Sequence, residues 1–192
     1  LNIKNDIKPG TIITDVGSVK KEVINKVKKI LPKNTNFVPG HPIAGTEKSG
    51  PESGFSGLFK NGWCILTPEA KENKKSVKII KNMWEIVGMK VDIMSANYHD
   101  QVLAITSHIP HIIAYSIVGT VANLQTTLKR EVIKYAASGF RDFTRIAASD
   151  PIMWRDIILY NRQSILKMLN LFKKDLSKLE YAIENNDDKF LL

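Results

Sequence analysis

The stretch Thr11-Ile12-Ile13-Thr14-Asp15-Val16-Gly17-Ser18-Val19-Lys20 changes from the period of a strand to that of a helix within ten residues. A turn at Pro9-Gly10 precedes the β-rich run 11–16, and Gly17-Ser18 interrupts it. Val19, Val23, Val27 and Ile30 then recur at helical spacing as far as Pro32. Downstream, Trp63 to Leu66 reads as a short buried strand. Val77, Ile80, Trp84 and Val87 mark one face of a helix ending at Gly88, and Met89 to Met94 reads as a further strand. Such βα alternation predicts part of a doubly wound α/β sheet.

From Ser95 onward strand signals vanish. Ser95 or Asn97 can cap a long helix, kinked or broken near Pro110. Ser149-Asp150-Pro151 is a helix start, with a cap and a proline in the first turn. Ile165, Leu169, Phe172, Leu176, Leu179 and Ile183 then step by four and three, a coiled-coil-like seam that suits either the chain's own interior or a partner. The chain therefore divides near residue 93 into a partial α/β domain and an all-helical one.

At 43% hydrophobic and 24% charged, the 192 residues have a soluble globular composition. The single Cys64, within an apolar run, excludes an internal disulfide and fits a buried thiol in a reducing cytosol. No secretory leader opens the sequence, so a cytoplasmic location is expected. Val102 to Ala122 is apolar enough to suggest a membrane span. It carries His108, Pro110 and His111 at mid-depth, so a helix buried between subunits is expected instead. The net charge of +9 comes from lysines, Lys20 and Lys21 among them, that read as a solvated face. Without interleaved aromatics they do not predict nucleic-acid binding, but a positive field suits a small dianion.

Four groups of residues could do chemistry. Gly17-Ser18 sets a hydroxyl and backbone N–H groups at the carboxyl end of a strand, where open α/β sheets bind ligands; Ser18 could equally cap its helix. The run Pro39 to Gly50 reads as a punctuated loop carrying His41, Thr46 and Glu47, with His41 a candidate general base. His108 and His111 lie three apart, placed for a substrate, a subunit interface or, with His99 or Asp100, a metal; no recognisable third-ligand spacing accompanies them, so no metal is expected. Arg141 and Arg145, four apart, could grip carboxylates together or join a salt-bridge cluster with Asp142 and Asp156.

As an ordered set, Asp15-Val16-Gly17-Ser18-Val19-Lys20, the His41–Gly50 run, Ser107-His108-Ile109-Pro110-His111, and Gly139 to Ala148 continuing through Asp150 to Asp156 resemble the prephenate/arogenate dehydrogenase family. The resemblance covers residues 11 to about 162. It implies NAD(P)-dependent oxidative decarboxylation of prephenate to 4-hydroxyphenylpyruvate in tyrosine biosynthesis. It also implies a Rossmann-type domain, of which residues 1–93 are the C-terminal part, and a helical substrate and dimerisation domain over 94–192 that forms a homodimer.

His41 resembles the catalytic histidine, and Ser18 the serine at the substrate hydroxyl. Val16, Gly17 and Ser18 would face the nicotinamide. Arg145 resembles the arginine for the ring carboxylate. His108, His111, Arg141, Thr46 and Glu47 match the substrate surround, and Asp142 and Trp154 the pocket entrance. The sequence departs from the family pattern in having no G-x-G-x-x-G run, so a fragment with impaired NAD or NADP binding is expected. Two alternatives are a non-catalytic dimerisation and dianion-binding module and a histidine-ligated metal hydrolase.

Overall fold

The computed structural model describes residues 4–45 and 50–192. Its first half holds five strands and two helices: β1 (Ile12–Thr14), α1 (Lys21–Lys28), β2 (Asn36–Val38), β3 (Gly40–Ile43), β4 (Trp63–Leu66), α2 (Lys74–Ile86) and β5 (Lys90–Ile93). β1 and β2 pair in parallel, Ile13 opposite Phe37. β4 and β5 are also parallel, Ile65 opposite Asp92, across the α2 connection. These are the βα units expected from the sequence.

Two strands escaped the periodicity. β2 is three residues long, too short to declare a period. β3 lies within the run Pro39 to Gly50, which reads as a loop because glycine and proline punctuate it. In the fold Gly40–Ile43 pairs antiparallel with β4, His41 opposite Ile65 and Pro42 opposite Cys64. β3 is an edge strand, where a proline without an N–H is tolerated.

The core of this half is Val38, Cys64, Leu66, Ile80, Trp84 and Met89. It forms because α2 turns one face, Val77-Ile80-Trp84, onto the strands. Asn73 starts α2 by accepting from the Lys75 and Ser76 N–H groups, and Gly88 at φ +95° ends it, a conformation glycine adopts without a Cβ clash.

The second half is helical: α3 (Ala96–Leu103), a wide π turn (Ala104–His108), α4 (Ile109–Ala122), α5 (Thr126–Lys134), α6 (Ser138–Ala147), α7 (Pro151–Tyr160), α8 (Arg162–Glu184) and α9 (Asp188–Leu191). Ser95 caps α3, its Oγ accepting from the Tyr98 N–H at 3.2 Å. Pro110 does not break the helix. The Ile109 N–H reaches back five residues to the Ala104 carbonyl, and this wider turn makes room for the proline ring. Asp150 caps α7 as expected, accepting from the Ile152 and Met153 N–H groups, with Pro151 in the first turn.

Residues 96–122 are long and apolar enough to cross a membrane, yet the buried polar groups His99, Asp100 and His108 on this run are hydrogen-bonded within the protein. The α8 seam serves two surroundings. Ile165 packs with Ala104 and Ile109 in the interior, whereas Leu176, Leu179 and Ile183 are exposed at 51%, 44% and 64%. Val19, Trp154 and Ile157 form a further core cluster, which ties the turn after β1 to α7.

Candidate active site

The site is assembled where β1 and β2 end, with α3 and α7 closing over them. Asp15, just beyond β1, organises the turn: its carboxylate accepts from the Gly17 N–H at 3.0 Å and the Gly40 N–H at 3.2 Å. Lys20 reaches into the same turn and donates to the Asp15 carboxylate and the Gly40 carbonyl. Lys20 is completely buried, so it is no part of the solvated lysine face. Burial pulls its ammonium pKa below the ordinary lysine value, and Asp15 partly opposes that.

Gly17 packs tightly here, because a Cβ would come within 3.0 Å of the Asp15 carboxylate. Val16 is 62% exposed, and the Ser18 hydroxyl makes no hydrogen bond among the described residues. Ser18 is not the helix cap.

That role falls to Asp100, eighty residues away. Its Oδ1 accepts from the Lys20 N–H at 2.9 Å and its Oδ2 from the Lys21 N–H at 3.0 Å. The N-terminus of α1, a candidate anion site in the sequence, thus already holds an internal carboxylate. Burial alone would raise the Asp100 pKa; hydrogen bonds from His99 and from the two backbone N–H groups outweigh it and hold the carboxyl below its ordinary value.

His41 sits on β3, 8% exposed. Its Nδ1 lies 2.9 Å from His99 Nε2, and His99 Nδ1 lies 2.8 Å from Asp100 Oδ1. Burial, followed by the neighbouring His99 and Lys20, lowers the His41 pKa to about 3. The ring is therefore neutral at physiological pH and able to accept a proton. Its Nε2 has no hydrogen-bond partner among the described residues.

The network continues into the helices. Asn161 Nδ2 donates to the Asp100 carbonyl at 2.7 Å and meets His108 Nδ1 at 3.1 Å. An amide NH2 only donates, so His108 Nδ1 accepts and its proton is on Nε2. Burial lowers the His108 pKa to about 4. His111 Nδ1 lies 2.9 Å from the Ser107 carbonyl, which can only accept, so Nδ1 carries the proton. The His111 ring stacks on Trp154 at 3.5 Å between centroids, and His108 meets the same indole edge-on at 6.0 Å. Trp154 is 6% exposed and forms a wall of the histidine cluster.

His41, His108, His111, Trp154 and the Ser18 turn thus come together. The α6 residues stand apart from that network. Arg141 is exposed, and Arg145, 55% exposed, contacts Asp142 at 3.4 Å. Asp156 pairs with Arg155 instead, so the four do not form one salt-bridge cluster. Thr46 and Glu47 lie outside the described residues. Among the described residues no three His, Cys, Asp or Glu side chains are grouped to hold a metal.

Sequence reasoning passed over Lys20, Asn161 and the structural roles of His99 and Asp100. Lys20 does lie in the quoted stretch, directly after the helix-starting Val19. The pair His99-Asp100, following the Ser95 cap, is the other available signal.

The pattern of the prephenate dehydrogenase dimerisation domain matches residues 95–192, and that of the prephenate dehydrogenase nucleotide-binding domain matches residues 2–93. The chain belongs to the prephenate dehydrogenase family. It is 44% identical over 186 residues to the cyclohexadienyl dehydrogenase of Zymomonas mobilis, covering 97% of this chain and 63% of that protein. It is 41% identical over 179 residues to the prephenate dehydrogenase of Bacillus subtilis, covering 92% and 47%. The crystal structure of the A. aeolicus prephenate dehydrogenase, in complex with hydroxyphenyl propionate and NAD+, superposes with a TM-score of 0.90 at 42% identity, covering 98% of this chain and 65% of that one. The α/β half followed by a helical half is thus the prephenate dehydrogenase architecture. This chain spans about half to two thirds of the length of these relatives.

Proposed function

We propose that this chain carries the proton-accepting and substrate-holding part of an NAD(P)-dependent prephenate or arogenate dehydrogenase. The carrying observation is a neutral, buried His41 with one ring nitrogen tied to His99 and the other without a partner among the described residues. In the proposed reaction the substrate's 4-hydroxyl gives its proton to His41 Nε2 as the carbon beneath it loses hydride. The ring carboxylate leaves as CO2, and its bonding pair restores aromaticity. The protein mainly orients the substrate and removes one proton.

Ser18 would hydrogen-bond at the substrate hydroxyl. His108 and His111 would line the substrate, with His111 Nε2 available as an acceptor. Arg145, assisted by Arg141, would hold the ring carboxylate, with Thr46 and Glu47 completing the surround and Asp142 beside its entrance. Two arginines suit a dianion because guanidinium pairs with carboxylate through two parallel hydrogen bonds.

A bound nicotinamide would supply the hydride acceptor, and exposed Val16 with Gly17 and Ser18 fit that end of the cofactor. The pyrophosphate end is not provided in the same turn, because Asp100 occupies the N-terminus of α1. In domain terms, residues 1–93 would be the C-terminal part of a dinucleotide-binding domain. Residues 94–192 would be a helical substrate domain pairing two chains as a cytoplasmic homodimer.

The decisive experiment is His41→Asn in the full-length protein. Turnover should fall by about 10²–10⁴-fold, the usual contribution of a positioned base, with substrate affinity retained. Arg145→Ala should mainly weaken substrate binding. Unchanged turnover in His41→Asn would refute the assignment of the base.

A further inference from the structure

The functional reading above gives His99 and Asp100 no role in the reaction, yet both are buried, at 0% and 2% exposure; His99 faces His41, and Asp100 stands behind His99. Asp100 is ionised and so accepts only. It already receives the N–H groups of Lys20 and Lys21, and these fix how its two oxygens lie. Because the carboxylate accepts, His99 Nδ1 must donate to Oδ1 at 2.8 Å. A neutral imidazole has one donor nitrogen and one acceptor. The remaining His99 Nε2 is then the acceptor, so His41 Nδ1, 2.9 Å away, must be the donor. With His99 neutral, each link leaves only one proton placement for the next.

From this chain of constraints we infer that His99 and Asp100 are a positioning pair for His41, holding it as the Nδ1–H tautomer so that Nε2 is the basic nitrogen. The inference rests on the reading of His41 as the base, and it adds which nitrogen reacts and what sets it. The same geometry serves the protonated state. When Nε2 takes a proton, the imidazolium Nδ1–H still faces His99, and the Asp100 carboxylate stands beyond it to offset the new charge. That balance matters because, among the described residues, the other charged or imidazole groups acting on His41 are Lys20, whose charge Asp15 compensates, and His108. The arrangement repeats the logic of a base oriented by a third group, with one imidazole handing the orientation to another.

Asp100 has a second attachment that makes the pair rigid. Its carboxylate caps α1 in the strand-containing half while its backbone carbonyl is held by Asn161 in the helical half. Moving the pair off His41 would uncap α1 and release Asn161 together, so the orientation is built into the packing of the two halves.

The test is the ring-nitrogen protonation pattern of His41, read by long-range ¹H–¹⁵N correlation at pH 8 in full-length, ¹⁵N-histidine-labelled protein. This sequence contributes four histidines, and His41→Asn assigns the signal. The expected pattern is Nδ1–H in the native protein and also in His99→Gln, whose carboxamide can accept from His41 and donate to Asp100 at once. His99→Leu should lose the preference and populate Nε2–H. In parallel, kcat should fall by about 10–100-fold in His99→Leu, the usual cost of losing an orienting partner, with KM little changed. His99→Gln should recover most of it.

An Nε2–H tautomer of native His41, or an unaltered tautomer and kcat in His99→Leu, would overturn the inference. Should His99→Leu not fold, the native and His99→Gln spectra still decide. Full turnover in His41→Asn would instead remove the base assignment, an outcome separate from the tautomer result.

Discussion

Replacing Asp100 by alanine should cost this fold about 3–5 kcal/mol, the range for removing one partner from a buried charged cluster. Three donors lose their acceptor: the Lys20 N–H at 2.9 Å, the Lys21 N–H at 3.0 Å and His99 Nδ1 at 2.8 Å. The first two are a helix N-cap, and cap-to-alanine changes typically cost about 0.5–2 kcal/mol. The third leaves a buried ring N–H unsatisfied, worth roughly 1–3 kcal/mol. Loss of a negative charge from the end of the α1 dipole adds up to about 1 kcal/mol. Relief of carboxylate desolvation works in the opposite direction and keeps the total near the range given.

Urea denaturation followed by tryptophan fluorescence would measure it, since Trp84 and Trp154 are both buried. The pH dependence supplies the sign. The Asp100 pKa is held below its ordinary value of 3.8 when folded. Its stabilisation is therefore fully present above the unfolded-state pKa and is lost as pH falls through the folded one. Asp100→Asn lacks that titration, so its deficit relative to the native protein should be constant near neutrality and shrink below about pH 4. A loss under about 1 kcal/mol for alanine, or a deficit that does not change with acid, would refute the capping argument.

Three further outcomes are expected. NADH titrated by fluorescence against this 192-residue chain should bind only weakly, since the chain has no glycine-rich pyrophosphate loop; micromolar affinity would count against the proposed division of the cofactor site. Cys64, fully buried and with its thiol pushed up to about 11 by desolvation, should resist a thiol reagent at pH 8 until denaturant is added; rapid labelling of the native protein would show the sheet core to be open. Leu176→Glu with Leu179→Glu places charges in an apolar groove of about 470 Å³ on α8 and should shift the full-length protein toward monomer by light scattering; an unchanged dimer would locate the pairing surface elsewhere.

What could be read from the sequence was whatever depends on near neighbours along the chain. The strand-to-helix switch at residues 11–20, the α2 face built from Val77, Ile80 and Trp84, the caps Ser95 and Asp150, and the end of strand signals near residue 93 all follow from periodicity and local hydrogen bonding. β3 defeated that approach because Gly40 and Pro42 carry loop propensities, and only pairing with β4 makes the segment a strand. The π turn before Pro110 likewise needs the whole helix to be present before its proline can be accommodated.

The candidate site divides along the same line. Residue types alone singled out His41, His108, His111 and Ser18, since reactive side chains in punctuated segments announce themselves. Their sequence said nothing about Lys20 being buried, about Asp100 capping a helix eighty positions earlier, or about which nitrogen of His41 is tied to His99. Those depend on distances between segments far apart in the chain. A hydrogen bond of about 2.9 Å between such groups exists only once the two halves have packed. Local sequence therefore determined the elements and nominated the chemistry, while tertiary packing decided the contacts on which the proposed role of His41 rests.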